Sequence, residues 1–380
     1  MSETVLEVRD LKTYFYTYAG VVKALDGVNL TVWQGETLGL VGETGCGKSV
    51  TSLSVMRLVP HPPGRIVGGQ ILFKGQDLLK LSEQQIRSIR GNKIAMIFQD
   101  PMTYINPVMT IGDQVAEVIL LHQNLAEESL RIKVDDLKVM VQNAGSEERN
   151  RIENEIQALQ QRMNNPPKLS TKEAKQVALR KATDLLRLVR MPYPEKVIGQ
   201  YPHELSGGMR QRAIIAMALA CNPSLLIADE ATTSLDVTIQ AQILALLNDL
   251  KRTLRTSIMI ITHDLGIVAE MCDRVAVMYA GVVVEYSDTK KLFKNPFHPY
   301  TKGLLNTIPS LTREQDRLEA IEGMVPNLIY PPEGCRFHPR CRSAMDVCKR
   351  DRPAMITVEP DHQVACHLYK SPQTEVPADA

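Results

Sequence analysis

The period at which apolar residues recur changes along the chain, and each period predicts an element. Apolar and polar residues alternate over Val5 to Arg9 and over Val28 to Val32, the two-residue repeat of half-buried strands. Between them the aromatic run Tyr14-Phe15-Tyr16 reads as a connecting loop. Apolar runs at Thr37 to Val41, Ile94 to Phe98, Leu225 to Ala228 and Ile258 to Thr262 predict buried strands, and Gly69 to Phe73 another strand. Val50 to Leu58 predicts a helix that Pro60-His61-Pro62-Pro63-Gly64 must end. Lys172 to Val189 reads as an amphipathic helix closed by Met191-Pro192-Tyr193-Pro194, and Ala213 to Ala220 as an apolar one.

Between Gln123 and Lys168 the chain becomes highly charged. Leu130, Val134, Leu137 and Val141 recur at intervals of four, three and four, as do Ile152, Ile156, Leu159 and Met163 beyond Asn143-Ala144-Gly145-Ser146. Two helices with one apolar seam each, the second capped by Ser146, predict an antiparallel hairpin. It reads either as a solvated insertion packed on itself or as a docking arm for a partner.

Chemistry concentrates at the ends of the predicted strands. After Thr37 to Val41 comes Gly42-Glu43-Thr44-Gly45-Cys46-Gly47-Lys48-Ser49, then Val50 at the predicted helix start. Glycines let successive N–H groups turn inward on a triphosphate, Lys48 would reach its outer phosphates, and Ser49 would ligate Mg²⁺. Gln99 ends a second strand and could reach the metal or an attacking water. Asp229 and Glu230 end a third, as a Mg²⁺ ligand and as the base that polarises water. His263 ends a fourth, where it would contact the γ-phosphate. Leu205-Ser206-Gly207-Gly208-Met209-Arg210-Gln211 leads into a helix and leaves backbone amides bare, a second anion site. One nucleotide cannot use both anion sites within one subunit, so the pattern predicts ATP held between two subunits. Ser234-Leu235-Asp236 reads as a turn and helix cap at the same edge. Among Tyr14, Phe15 and Tyr16, Phe15 is the candidate for stacking on adenine; the alternative is an ordinary strand aromatic.

Composition narrows the partners. The 380 residues are 44% hydrophobic and 23% charged, the make-up of a globular protein. Forty-four Lys and Arg against 43 Asp and Glu give a formal charge of +1, so no general basic field recruits nucleic acid. With no apolar run of 18 residues and no signal segment at the N-terminus, the chain is expected to be cytosolic unless something holds it at a membrane. Seven cysteines, an odd number, fit a reducing compartment.

The ordered set of phosphate loop, Gln99, Leu205 to Gln211, Asp229-Glu230, Ser234-Leu235-Asp236 and His263 resembles the nucleotide-binding subunit of ABC transporters, over roughly residues 5 to 290. The resemblance implies an α/β fold: a RecA-like P-loop ATPase core, an antiparallel β subdomain and an inserted α-helical subdomain. It divides the chain into an ATPase domain over 1–290, with helices over about 100–205 and the extra hairpin over about 123–168, and a C-terminal extension over 291–380. It also implies a groove around Gln99 for a helix of a membrane subunit. Ala231 departs from the pattern, since the family most often has proline there.

The tail carries a narrower likeness. Asn295-Pro296-Phe297-His298-Pro299-Tyr300-Thr301, Glu322 to Pro326 and Pro332 to Cys341 are similar to the C-terminal region of oligopeptide and dipeptide importer ATPases. That implies a peripheral subunit on the cytoplasmic face of the membrane. Its partners would be a related second ATPase, two integral membrane permease subunits and an extracytoplasmic substrate-binding protein. Peptides are the expected cargo, with nickel and sugars open. A soluble ABC ATPase of nucleic-acid repair or translation is the other class, for which paired cassettes or a basic face would be expected. Cys335, Cys341, Cys348 and Cys366, with five, six and seventeen residues between them, lack the paired spacing of common zinc ribbons. The resemblance favours a 4Fe-4S cluster there, with Zn²⁺ and free thiols as alternatives. A metal clip would stabilise a tail with too little apolar content for its own core.

Overall fold

The strands sort into two sheets in the computed structural model, which describes residues 3–99, 104–143, 145–231, 236–307 and 321–369. In chain order they are β1 (Thr4–Thr17), β2 (Gly20–Trp33), β3 (Thr37–Val41), β4 (Gly64–Phe73), β5 (Gln76–Asp77), β6 (Ile94–Ile97), β7 (Leu225–Asp229), β8 (Ser257–Thr262), β9 (Arg274–Tyr279), β10 (Val282–Asp288), β11 (Ile356–Glu359) and β12 (His362–Val364). The smaller sheet, β2-β1-β4-β5, is antiparallel. The larger runs β11-β12-β10-β9-β3-β8-β7-β6. Its members from β9 to β6 are parallel, and every residue of β3, β7 and β8 is buried. Strands covered on both faces need apolar residues at every position, which is why these appear in the sequence as unbroken apolar runs.

β1 is longer than its alternation indicates. Register shifts beside Asp10, whose φ is +44°, interrupt the two-residue period in the middle of the strand. The aromatic run therefore lies on a strand, not in a loop, and Phe15 pairs with Val22 on one side and Gly64 on the other.

Helices Ile111–His122, Thr171–Leu188 and Gly207–Leu219 pack together beside the parallel strands. The hairpin forms from Leu125–Asn143 and Ser146–Arg162, with Leu130 and Val134 of its seam buried. Ser146 is not its cap; Gly145 takes that position and offers no side chain to it. Arg180 fixes the hairpin to Thr171–Leu188 through both oxygens of Asp136. Among the described residues no helix is long and apolar enough to cross a membrane.

The C-terminal segment is built onto the central sheet. β12 pairs with β10 and carries the central sheet onward through β11. Glu285 of β10, fully buried, accepts the N–H groups of Phe297 and His298 at 2.7 and 2.9 Å and pairs with His362 Nε2 at 2.7 Å. Burial alone would raise the Glu285 pKa, but the bonds from His362 and the two amides oppose it, and the carboxyl is held below its ordinary range.

His298 caps helix Pro299–Asn306 by accepting the Tyr300 N–H on Nδ1 at 3.1 Å, which requires a neutral ring. Burial lowers its pKa to about 4, against an opposing pull from Glu285. The unfolded chain takes up this proton near the ordinary histidine value while the native chain refuses it. Unfolding free energy should therefore fall by about 3 kcal/mol as pH drops from about 6.5 to about 4. Chemical denaturation across that range checks this, and His298→Asn, which keeps an acceptor but does not titrate, is expected to flatten the slope.

Candidate functional site

The phosphate loop leaves β3 at Gly42 and enters helix Lys48–Val55, as the apolar run and glycines require. Two of those glycines are obligatory. A Cβ on Gly42 would lie 2.2 Å from the Met278 carbonyl oxygen, and one on Gly47, at φ +98°, would lie 2.7 Å from that of Ala24. The loop is seated on the end of β9 so closely that only bare backbone fits.

Lys48 is 5% exposed, and its Nζ donates to the carbonyls of Gly42 at 2.7 Å and Glu43 at 3.1 Å. Burial lowers its pKa, with Cys46 and the acids Glu230, Asp229 and Glu43 opposing. An ammonium held by two neutral carbonyls in a partly dry loop is poised to exchange them for phosphate oxygens. Ser49 Oγ donates to Asp229 Oδ1 at 3.1 Å, and Ser52 Oγ lies 3.2 Å from Oδ2. Asp229 is buried and its pKa is raised by that burial, so a divalent cation would relieve an acid short of positive charge. Two oxygens already adjacent on different elements suit the oxygen preference of Mg²⁺.

Glu230 is one residue past β7, in the left-handed region at φ +47°. Its Oε2 accepts from Gln99 Nε2 at 2.7 Å, and His263 Nδ1 lies 3.3 Å from Oε1. The structure thus brings together Gln99, Glu230 and His263 as one group and Lys48, Ser49 and Asp229 as another. Gln99 contacts the carboxylate beside the candidate metal ligands, with no direct bond to Ser49 or Asp229 among those described.

Ser206 and Gly207 are exposed at the start of helix Gly207–Leu219, while Leu205 is buried beneath them. The Ser206 hydroxyl accepts from Met209 N at 3.4 Å, and Gln211 Nε2 donates to Ala231 O at 2.6 Å, tying this helix to the turn after Glu230. No described hydrogen bond joins Ser206 to Gly208 with the chain's own phosphate loop. Asp236 caps helix Val237–Leu254 through Ile239 N at 2.9 Å; Ser234 and Leu235 lie outside the described residues.

Residues 25–233, more than half of the chain, match the family profile described as "ABC transporter". The chain belongs to the ABC transporter family. Residues 284–348 match a second profile, "Oligopeptide/dipeptide transporter, C-terminal region". Among curated relatives, "Probable peptide ABC transporter ATP-binding protein y4tR" of Sinorhizobium fredii is 48% identical over 366 residues, 96% of this chain and 95% of that protein. "Oligopeptide transport ATP-binding protein AppD" of Bacillus subtilis is 45% identical over 372 residues, covering 98% and 99%. The dimeric structure of MJ0796, a bacterial ABC transporter cassette, matches 75% of this chain and 98% of that one with a TM-score of 0.56 at 21% identity, which shows the shared fold. Membership makes the chain an ATP-hydrolysing cassette.

The structure lends no support to the expected four-cysteine metal site. Among the described residues, which include all four thiols, no group of three or more His, Cys, Asp and Glu side chains could hold a metal ion. The four cysteines share a neighbourhood without forming a disulfide: Cys335 N donates to Cys348 O at 2.8 Å, and Cys366 is near enough to the other three to feel their charge. Burial raises the pKa of Cys335 and Cys341, and that of Cys366 to about 11, with the neighbouring thiols adding to the rise.

Sequence reasoning missed Tyr300, Arg336 and Arg340 as neighbours of the phosphate loop. The first lies in the run Asn295 to Thr301 and the others between Cys335 and Cys341, so the tail motifs contained the signal without its address. For ABC cassettes of this build, Gly42→Ala should abolish detectable ATP binding, because the added methyl meets fixed backbone 2.2 Å away. Nucleotide titration, together with a melting curve that shows the chain still folds, checks this.

Proposed function

We propose that the chain is the ATPase subunit that energises import of oligopeptides or dipeptides through a membrane transporter. The observation that carries the cargo is the C-terminal match over 284–348, supported by relatives whose names specify peptide and oligopeptide transport. Its natural setting is the cytoplasmic face of the membrane, beside two permease subunits, an extracytoplasmic binding protein and a related second ATPase. The division into an ATPase domain over 1–290 and an extension over 291–380 belongs to the same proposal.

Within this reading the residues of Gly42 to Val50 wrap the triphosphate, and Lys48 leaves its two carbonyls for the outer phosphates. Mg²⁺, when bound, shields the phosphate charge, and Ser49, Asp229 and Gln99 are its candidate ligands. Glu230 orients and polarises the attacking water, released from its bond to Gln99, while His263 turns to the γ-phosphate. Phe15, or its neighbours Tyr14 and Tyr16, offers the adenine a ring; Tyr14 already donates its hydroxyl to Asp26 at 3.1 Å. The exposed Ser206-Gly207 turn would meet ATP held by a second subunit, with Leu205, Gly208, Met209 and Gln211 supporting it; Ser234, Leu235 and Asp236 are proposed as the turn that serves the same contact.

Glu230→Gln should keep ATP binding within about threefold of the parent and slow hydrolysis by about 10²-fold or more, since only the base is lost. Turnover near the parent rate would remove Glu230 from the mechanism. Lys48→Ala should weaken ATP binding itself; equilibrium titration reads it, and an unchanged dissociation constant counts against the phosphate-loop assignment.

A further inference from the structure

The phosphate loop contains an acid, and phosphate repels acids. A carboxylate at Glu43 left to itself would oppose the triphosphate that the rest of the loop is shaped to hold. The structure gives that carboxylate a counter-ion from far along the chain. Arg340 Nη1 donates to Glu43 Oε2 at 2.6 Å and Nη2 to Oε1 at 3.0 Å, a two-pronged pairing.

The remaining Arg340 donors are also used. Nε reaches the Glu322 carbonyl at 2.8 Å, and Nη2 those of Ile321 and Gly323 at 3.1 Å each. The Arg340 side chain is only 6% exposed and lies near the Tyr279 ring, at 5.8 Å from its centroid. A guanidinium whose donors are spread over a carboxylate and three carbonyls is fixed in place.

The main chain of Glu43 is held from the same direction. Its N–H donates to the hydroxyl of Tyr300 at 2.8 Å, and Tyr300 is fully buried against Tyr279 and Phe337. Its carbonyl accepts from Lys48 and from Cys46 N. On the far side of the loop, Arg336 donates to Ala280 O and to Asp26 Oδ2, while Gly281 N donates to Cys46 O at 2.9 Å. Side chain and backbone of Glu43 therefore both end on residues of the C-terminal segment.

We infer that Arg340 is a positioning residue for nucleotide binding: it neutralises Glu43 and, with Tyr300, fixes the first half of the phosphate loop from the C-terminal segment. ATP affinity in this chain then depends on the docking of that segment, which meets the phosphate loop at Glu43. The inference rests on the nucleotide reading of Gly42 to Ser49.

The full chain, titrated with MgATP and assayed for hydrolysis, tests it. Arg340→Ala is expected to raise the MgATP dissociation constant about tenfold, equivalent to about 1.4 kcal/mol, with kcat within about twofold of the parent. Removing the repelling charge as well, in Glu43→Gln/Arg340→Ala, should return affinity to within about threefold of the parent, a rescue that mere loss of packing would not give. Arg340→Ala binding as tightly as the parent overturns the inference, and so does a double variant as weak as the single one. Should Arg340→Ala fail to fold, Tyr300→Phe removes one hydroxyl from the same contact and is expected to raise the dissociation constant about threefold; no change there overturns it equally. Lys48→Ala in parallel separates the two levels. If it leaves affinity intact the nucleotide reading itself fails, whereas weakened Lys48→Ala beside unaffected Arg340→Ala sinks only the role given to Arg340.

Discussion

Everything at the site depends on the register of four parallel strands. Val41 pairs with Thr262, Asp229 with Ile261, and Ile97 with Ala228. The residues that leave these strands, Gly42, His263, Glu230 and Gln99, therefore emerge at one edge within a residue or two of each other's level. A slip of one residue in β7 would exchange the faces on which Asp229 and its neighbours lie and break its bonds to Ser49 and Ser52. The apolar character of β3, β7 and β8 on both faces does not forbid such a slip by itself. Polar anchors at the start of β7 and β8 help to prevent it: Thr256 Oγ1 donates to Pro223 O at 2.9 Å and Ser257 N to Ser224 O at 3.0 Å.

Glu230 shows what this precision costs. A side-chain-bearing residue in the left-handed region is disfavoured by about 1–2 kcal/mol, and no glycine is possible where a carboxylate is needed. The backbone accepts the strain because the Glu230 N–H continues the β7 to β8 ladder to Ile261 O at 2.9 Å, and Gln99 and His263 grip the carboxylate. Ala231 follows without the stiffness a proline would bring, and its carbonyl is held by Gln211 instead. One turn thus joins the acid to the helix that carries Ser206 and Gly207, so a displacement at either place is felt at the other.

The parallel core and the glycine-rich loop were legible because their physics is local. An unbroken apolar run can be seen in five residues, and the loop's glycines, lysine and serine are adjacent in the chain. The hairpin was legible too, since its seam repeats at helical spacing. What escaped was decided by partners distant in sequence. β1 looked like a short strand and a loop because bulges beside Asp10 break its alternation, and pairing with β2 and β4 overrides that local signal. The Ser146 cap was misplaced by one residue, within the ordinary fraying of helix ends.

The C-terminal segment was the hardest part to foresee, and the reason is instructive. Few apolar residues and four clustered cysteines suggest a unit that a metal must hold together, if the unit is assumed to fold on its own. In the structure it is instead docked on the core. β12 takes its backbone partners from β10, His362 takes its partner from Glu285, and Arg336 and Arg340 take theirs from Asp26 and Glu43. A segment that satisfies its polar groups against an existing core needs little apolar area of its own, because the ordering cost is offset by contacts the core supplies. The consequence runs both ways: detaching the tail would strip Glu43 and Asp26, both partly buried, of their arginine partners, so the docking of the tail and the charge of the phosphate loop bear on each other.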